Sequence, residues 1–205
     1  MQTIWQCPDE AVAALVLAHG AGAGMTHRNM QALADGFELA GIATLRFDFP
    51  FVEMGATRPD PPHIATARIA DAFAEAEERT SLPLWLGGHS FGGRMATHAV
   101  LDRGLRPKGL ILCSFPLHPA ARPATARAEH LAAIDLPMLF VSGTRDALAD
   151  RELLTSVVAG LPQAELHWLD TADHGYRLLK RRRASSEDVF HEIGRVARSF
   201  IHRRS

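Results

Sequence analysis

Gly88-His89-Ser90-Phe91-Gly92 is the stretch of this 205-residue chain whose residue types and spacing speak most directly to chemistry. The apolar run 84–89 leads into it and a helical pattern over 92–102 follows, so Ser90 falls on a strand-to-helix turn. A serine displayed there sits in strained backbone, and the residues two positions away on either side have to be small if strand and helix are to approach closely. Gly88 and Gly92 meet that need, with Gly87 and Gly93 outside them. The start of the following helix adds a backbone N–H and the positive end of a helix dipole beside the hydroxyl, where both would stabilise a developing oxyanion. The spacing points to nucleophilic attack by Ser90, which needs a base to take its proton.

With this motif in that setting, the chain resembles the α/β-hydrolase superfamily. The resemblance implies an acid after a later strand and a histidine after the last strand, in the order Ser, Asp, His. Asp146 and His174 stand in those places: Ser142-Gly143-Thr144-Arg145-Asp146 directly follows the apolar run 138–141, and Asp173-His174-Gly175 follows a strand that ends near Leu169. In the implied roles His174 removes the Ser90 proton, while Asp146 fixes the imidazole tautomer and stabilises the imidazolium. Asp150, Asp170 and Asp173 are competing carboxylates in the same region. The resemblance extends to His19-Gly20-Ala21-Gly22-Ala23-Gly24 and implies an oxyanion hole built from the backbone N–H groups of Ala21 and Phe91, with Gly22 as the alternative to Ala21. His19 itself reads as a structural hydrogen-bonding residue.

His-Gly-Ala-Gly at 19–22, Arg-Phe-Asp-Phe-Pro at 46–50 and Gly-His-Ser-Phe-Gly-Gly-Arg-Met at 88–95 are similar to the small lidless branch of the superfamily, which holds dienelactone-hydrolase-like and testis-expressed-protein-30-like proteins. Dienelactone hydrolases carry a cysteine nucleophile where this chain has Ser90, a departure that turns the expectation away from dienelactones and toward serine-esterase chemistry. The resemblance implies a three-layer α/β/α sandwich around a mostly parallel sheet, without a cap domain. It also implies hydrolysis of a carboxylic ester or thioester through an acyl-enzyme. A binding or scaffold protein that keeps the fold without turnover is the alternative, since a fold alone does not establish an activity.

Other features invite different chemistry and fit it less well. The glycines at 20, 22 and 24, with Asp48 at the end of a strand, suggest a dinucleotide loop, but that pattern needs glycine or alanine at position 25, which is Met25. Neither H-E-x-x-H nor a His/Cys cluster with ligand spacing occurs, so no metal and no cofactor is expected. The run Lys180-Arg181-Arg182-Arg183 reads as a solvated loop, and Arg46 and Asp48 as makers of structural polar contacts.

The elements that must position these residues follow from the alternation of short apolar runs with longer amphipathic stretches, which predicts βα units around a parallel sheet. Strands are expected at 14–19, 43–49, 84–89, 109–115, 138–142 and 165–169, and helices at 28–39, 64–80, 92–102, 148–160 and 186–202. Residues 116–137 leave room for one helix, around 124–134, and for no lid. With 47% hydrophobic and 22% charged residues and neither a linker nor a repeat, the chain is expected to form one domain over 1–205. A formal net charge of -1 argues against nucleic acid or an anionic membrane as the main partner and for a small molecule. The sequence leaves the oligomeric state open. Cys7 and Cys113 are expected as buried thiols, and the lack of a basic stretch before the first apolar run suggests a cytoplasmic protein. The Ala- and Arg-rich composition suggests a bacterial source.

Overall fold

The computed structural model describes residues 1–179 and 183–204. Its strands are β1 (Thr3–Gln6), β2 (Ala13–Ala18), β3 (Ile42–Phe47), β4 (Leu84–His89), β5 (Leu110–Cys113), β6 (Met138–Gly143) and β7 (Ala164–Leu169). They form a single seven-stranded sheet in the order β1-β3-β2-β4-β5-β6-β7. All pairings are parallel except that of β1 with β3.

β2, β3, β5 and β6 are buried along their whole length because helices cover both faces, and the alternation of side chains across the pleat divides the core in two. Val16, Leu45, Leu86, Leu112 and Phe140 point to one side, with Ile69 and Phe73 of α3 (Pro62–Arg79), Met95 and Ala99 of α4 (Phe91–Arg103) and Leu154 of α5 (Arg151–Ala159). Leu15, Leu17, Ile111, Leu139 and Val141 point to the other, with Leu33 and Phe37 of α1 (Arg28–Leu39) and Ile193 and Phe200 of α6 (Val189–Arg204). This is the three-layer sandwich that the resemblance implies.

Differences from the expected elements have local causes. β1 was not among the predicted strands: it is a half-buried edge strand of four residues and carries no continuous apolar run. The four-residue helix α2 (Pro50–Glu53) is also additional, started by a proline at its first position. α5 begins at Arg151 rather than 148 because Asp150 caps it, accepting the Leu153 N–H at 3.0 Å. Cys113 is buried as expected, but Cys7 is exposed on the loop after the edge strand. Lys180, Arg181 and Arg182 lie outside the described residues; Arg183, expected on a solvated loop, instead buries its side chain in an ion pair with Glu192. Among the described residues no helix is long and apolar enough to cross a membrane.

The crossover from β5 to β6 holds a 3-10 helix (Ala126–Ala133) within the stretch 124–134 where one helix was expected, and no cap domain is present among the described residues. This segment docks on α4 rather than over the sheet edge. His130 stacks on His98 with ring centroids 4.0 Å apart, and its Nε2 lies 2.7 Å from the Thr97 hydroxyl. Burial pushes both imidazoles below their ordinary value, His130 to about 4, and nearby Arg94 adds to the effect. His130 is therefore neutral in the fold near pH 6, and His98 is shifted in the same direction, whereas both titrate at about 6.5 in the unfolded chain. The unfolded state binds more protons between these values, so stability present above pH ~6.5 is lost as the pH falls toward 4. The melting temperature should drop across that window, and His130→Gln should flatten the slope in part, since buried His89 is shifted the same way. An unchanged slope in His130→Gln would show that the stacked pair does not titrate on unfolding.

Candidate active site

In an open parallel sheet the loops at the carboxyl ends of the strands share one edge, and a crevice opens where the strand order turns. Here the turn falls at β2, whose neighbours β3 and β4 lead in opposite directions. The loop after β2 and the turn after β4 thus face each other, while the loops after β6 and β7 reach the same edge from the side.

Ser90 follows β4 directly and has φ 52° and ψ −116°, a conformation that costs a non-glycine residue about 1–3 kcal/mol. The turn is held by the Ser90 N–H, which donates to the Cys113 carbonyl at 2.9 Å. Close approach explains the glycines: a Cβ on Gly88 would lie 2.3 Å from the Ala18 carbonyl oxygen, and one on Gly92 would lie 2.4 Å from it. Serine is a favoured helix N-cap, yet the Ser90 side chain makes no capping bond to α4. Its hydroxyl is instead 2.8 Å from Nε2 of His174.

The Nδ1 of His174 lies 2.9 and 2.8 Å from the two carboxylate oxygens of Asp146. With the proton on Nδ1 donated to the carboxylate, Nε2 is left to accept from the Ser90 hydroxyl. Asp146 is itself fixed, since its side chain is fully buried and its Oδ1 accepts the Leu148 N–H at 2.8 Å. The structure thus joins the three side chains expected from the sequence in one hydrogen-bonded chain. The other carboxylates are engaged elsewhere: Asp150 caps α5, Asp173 accepts the N–H groups of Gly175 and Arg177 at 3.0 and 2.9 Å, and Asp170 faces the Ala184 N–H. Such a chain can activate a hydroxyl for attack and return its proton to a departing atom.

A cavity of about 340 Å³ lies over Ser90, lined by the loop Gly20–Ala23 and by His27, Asn29, His89, Leu148 and His174 among others. Among the described residues the N–H groups of Ala21 and Gly22 donate to no other backbone group. Phe91 is the first residue of α4, where a helix leaves its N–H groups without intrahelical partners. The loop is anchored from below. His19 is fully buried; its Nε2 accepts the Phe49 N–H at 3.1 Å and its Nδ1 donates to the Gly20 carbonyl at 2.8 Å. Burial depresses its pKa, and an Nε2 that accepts an N–H carries no proton of its own. Asp48 accepts the Met25 N–H at 2.6 Å, and Arg46 donates to the Met25 carbonyl and to Gln31, so both residues close the loop and neither lines the cavity.

Two side chains that sequence reasoning left without a role stand behind His174. His89 occupies the variable position of the serine motif, and its Nε2 donates to the His174 carbonyl at 3.0 Å. Burial and the adjacent His174 push its pKa down to about 4, so it remains a neutral strut. Tyr176 is buried against it, with ring centroids 5.5 Å apart. The signal for His89 was its place in the motif; Tyr176 had none. Strain gathers here as well, since Ser114, Thr171 and Tyr176 join Ser90 among the non-glycine residues of positive φ.

A small three-layer α/β fold with a serine turn of this geometry defines a class, and comparison with known proteins gives the family. The profile of a family described as alpha/beta hydrolase domain matches residues 11–202. The chain belongs to this family. It is similar to the structure of Est1E from Butyrivibrio proteoclasticus with ferulic acid bound, at 16% identity and a TM-score of 0.73 over 99% of this chain and 94% of that one. It is also similar to dienelactone hydrolase from Anabaena variabilis, at 16% identity and a TM-score of 0.71 over 98% of this chain and 90% of that one. A third is XC6422 from Xanthomonas campestris, described as an a/b serine hydrolase without lid, with 20% identity and a TM-score of 0.69 over 98% and 88% of the two chains.

Proposed function

We propose that this protein is a serine hydrolase that cleaves a carboxylic ester or thioester through an acyl-enzyme, with Ser90, His174 and Asp146 as its catalytic residues. The observation that carries the reading is the unbroken hydrogen-bonded chain from the Ser90 hydroxyl to the Asp146 carboxylate. The Ser90 oxygen attacks the substrate carbonyl carbon while its proton passes to Nε2 of His174. The carbonyl oxygen, now an oxyanion, accepts from the N–H groups of Phe91 and of Ala21, or of Gly22 in its place. Collapse of the adduct expels the alcohol or thiol, which takes the proton from His174. A water molecule then repeats the sequence on the acyl-serine, releasing the carboxylic acid and restoring the hydroxyl. The reading draws support from the esterase and serine hydrolase descriptions of structurally similar proteins.

Substrate size follows from what borders the cavity. No residue of the crossover 116–137 is among those lining it, and that crossover packs on α4. A long acyl chain would find little apolar surface to bury, and each exposed CH₂ forgoes about 0.8 kcal/mol of binding. In a p-nitrophenyl ester series, kcat/KM should be highest for short chains and show no jump above the micellar threshold. A steady rise from acetate to palmitate would contradict an open, shallow site, and the absence of turnover across the series would contradict the hydrolase reading.

A further inference from the structure

A second cavity, of about 500 Å³, opens beside the first and shares His27, Asn29 and His174 with it. Three arginines from separate segments converge on it: Arg28 in the first turn of α1, Arg145 just before Asp146, and Arg177 three residues after His174. Arg145 is steadied by a bond from Nη1 to the Thr171 carbonyl at 3.1 Å. Among the described residues none of the three forms an ion pair. The one acid among the described lining residues, Asp173, already accepts two backbone N–H groups through Oδ1. The positive end of α1 faces the same region. Like charges gathered around a concavity repel one another, and an anion placed among them removes that repulsion while accepting charge-assisted hydrogen bonds.

The position of this cavity says which part of a substrate would reach it. A departing alcohol or thiol takes its proton from Nε2 of His174 and must lie against that ring, which lines both cavities. We infer that the arginine-lined cavity is a subsite for an anionic leaving group, an alcohol or thiol bearing a carboxylate or a phosphate. The inference rests on the hydrolase reading of Ser90 and His174 and adds the class of leaving group to it. The planar forks of Arg28 and Arg177 suit the paired oxygens of either group.

Three acetate esters that differ only in the para substituent of the phenol test this: 4-acetoxybenzoate, 4-acetoxyphenyl phosphate and the neutral 4-acetoxybenzamide. The expected kcat/KM for at least one anionic ester exceeds that of the amide about tenfold or more, although the amide has the better leaving group than the carboxylate. Which anion gains more identifies the preferred oxyanion. Arg28→Met and Arg177→Met, singly and together, should collapse this ratio through KM, and higher ionic strength should lower it. Arg106→Met, at an exposed arginine on the loop after α4, should keep it. Equal kcat/KM for charged and neutral esters, or a ratio that survives the double variant, would overturn the subsite and leave the chemistry of Ser90 intact. If no ester is turned over and a phosphonate fails to label Ser90, the hydrolase reading fails separately, and calorimetric binding of phenyl phosphate becomes the readout. A Kd at least about tenfold weaker in the double variant would then support the anion site, and an unchanged Kd would overturn it.

Discussion

Ser90→Ala should lower kcat on an activated acetate ester by about 10⁴-fold or more, the result the proposed mechanism expects when the nucleophile is removed while its activating base and oxyanion donors stay in place. KM changes little, because the hydroxyl makes its decisive bond only as the tetrahedral adduct forms. The fold should survive. The Ser90 hydroxyl does not cap α4, and the backbone bond from its N–H to the Cys113 carbonyl persists in alanine. Steady-state kinetics beside a circular dichroism melt separate the two effects. Retention of a tenth or more of the activity in a folded Ser90→Ala protein would mean that another group carries the attack.

Asp146→Asn is expected to cost about 10⁴-fold in kcat with similar retention of structure. The amide would turn its NH₂ toward Nδ1 of His174, which forces the ring proton onto Nε2 and leaves Ser90 facing a donor instead of a base. Its remaining oxygen could still accept the Leu148 N–H, so the loop keeps its shape. The neighbouring acids provide the contrast. Asp150→Asn retains a good N-cap for α5, Asp173→Asn can still accept from Gly175 and Arg177, and Asp170→Asn can still accept from Ala184. Each should lose far less than Asp146→Asn, as measured by kcat in the four purified variants. A larger loss in Asp170→Asn or Asp173→Asn would assign the acid to the wrong loop.

The sheet was legible because β2, β5 and the first four residues of β6 are short continuous apolar runs that alternate with amphipathic stretches, the pattern of strands buried on both faces. The edge strand β1 was not, since half-buried Thr3–Gln6 owes its conformation to pairing with β3 and not to its own residues. Ser90 was legible because backbone geometry dictates its glycine neighbours, and Asp146 and His174 because the resemblance implies an acid and a histidine after later strands, whose ends in a parallel sheet converge on one edge. His89, Tyr176 and the arginine-lined cavity were hidden for the opposite reason. Their meaning lies in contacts across 85 residues of chain, as in the bond from His89 to the His174 carbonyl, and no local pattern encodes such a contact. Cys7 shows the limit of composition: a thiol expected inside lies outside because it follows an edge strand.

The central claim is that Ser90 is an activated nucleophile, and intact-mass spectrometry after treatment with a fluorophosphonate tests it most directly. The wild-type protein should gain a single phosphonyl adduct, peptide mapping should place it on Ser90, and Ser90→Ala should gain none. An adduct on another residue, or an unmodified wild-type protein that is folded, would contradict the claim.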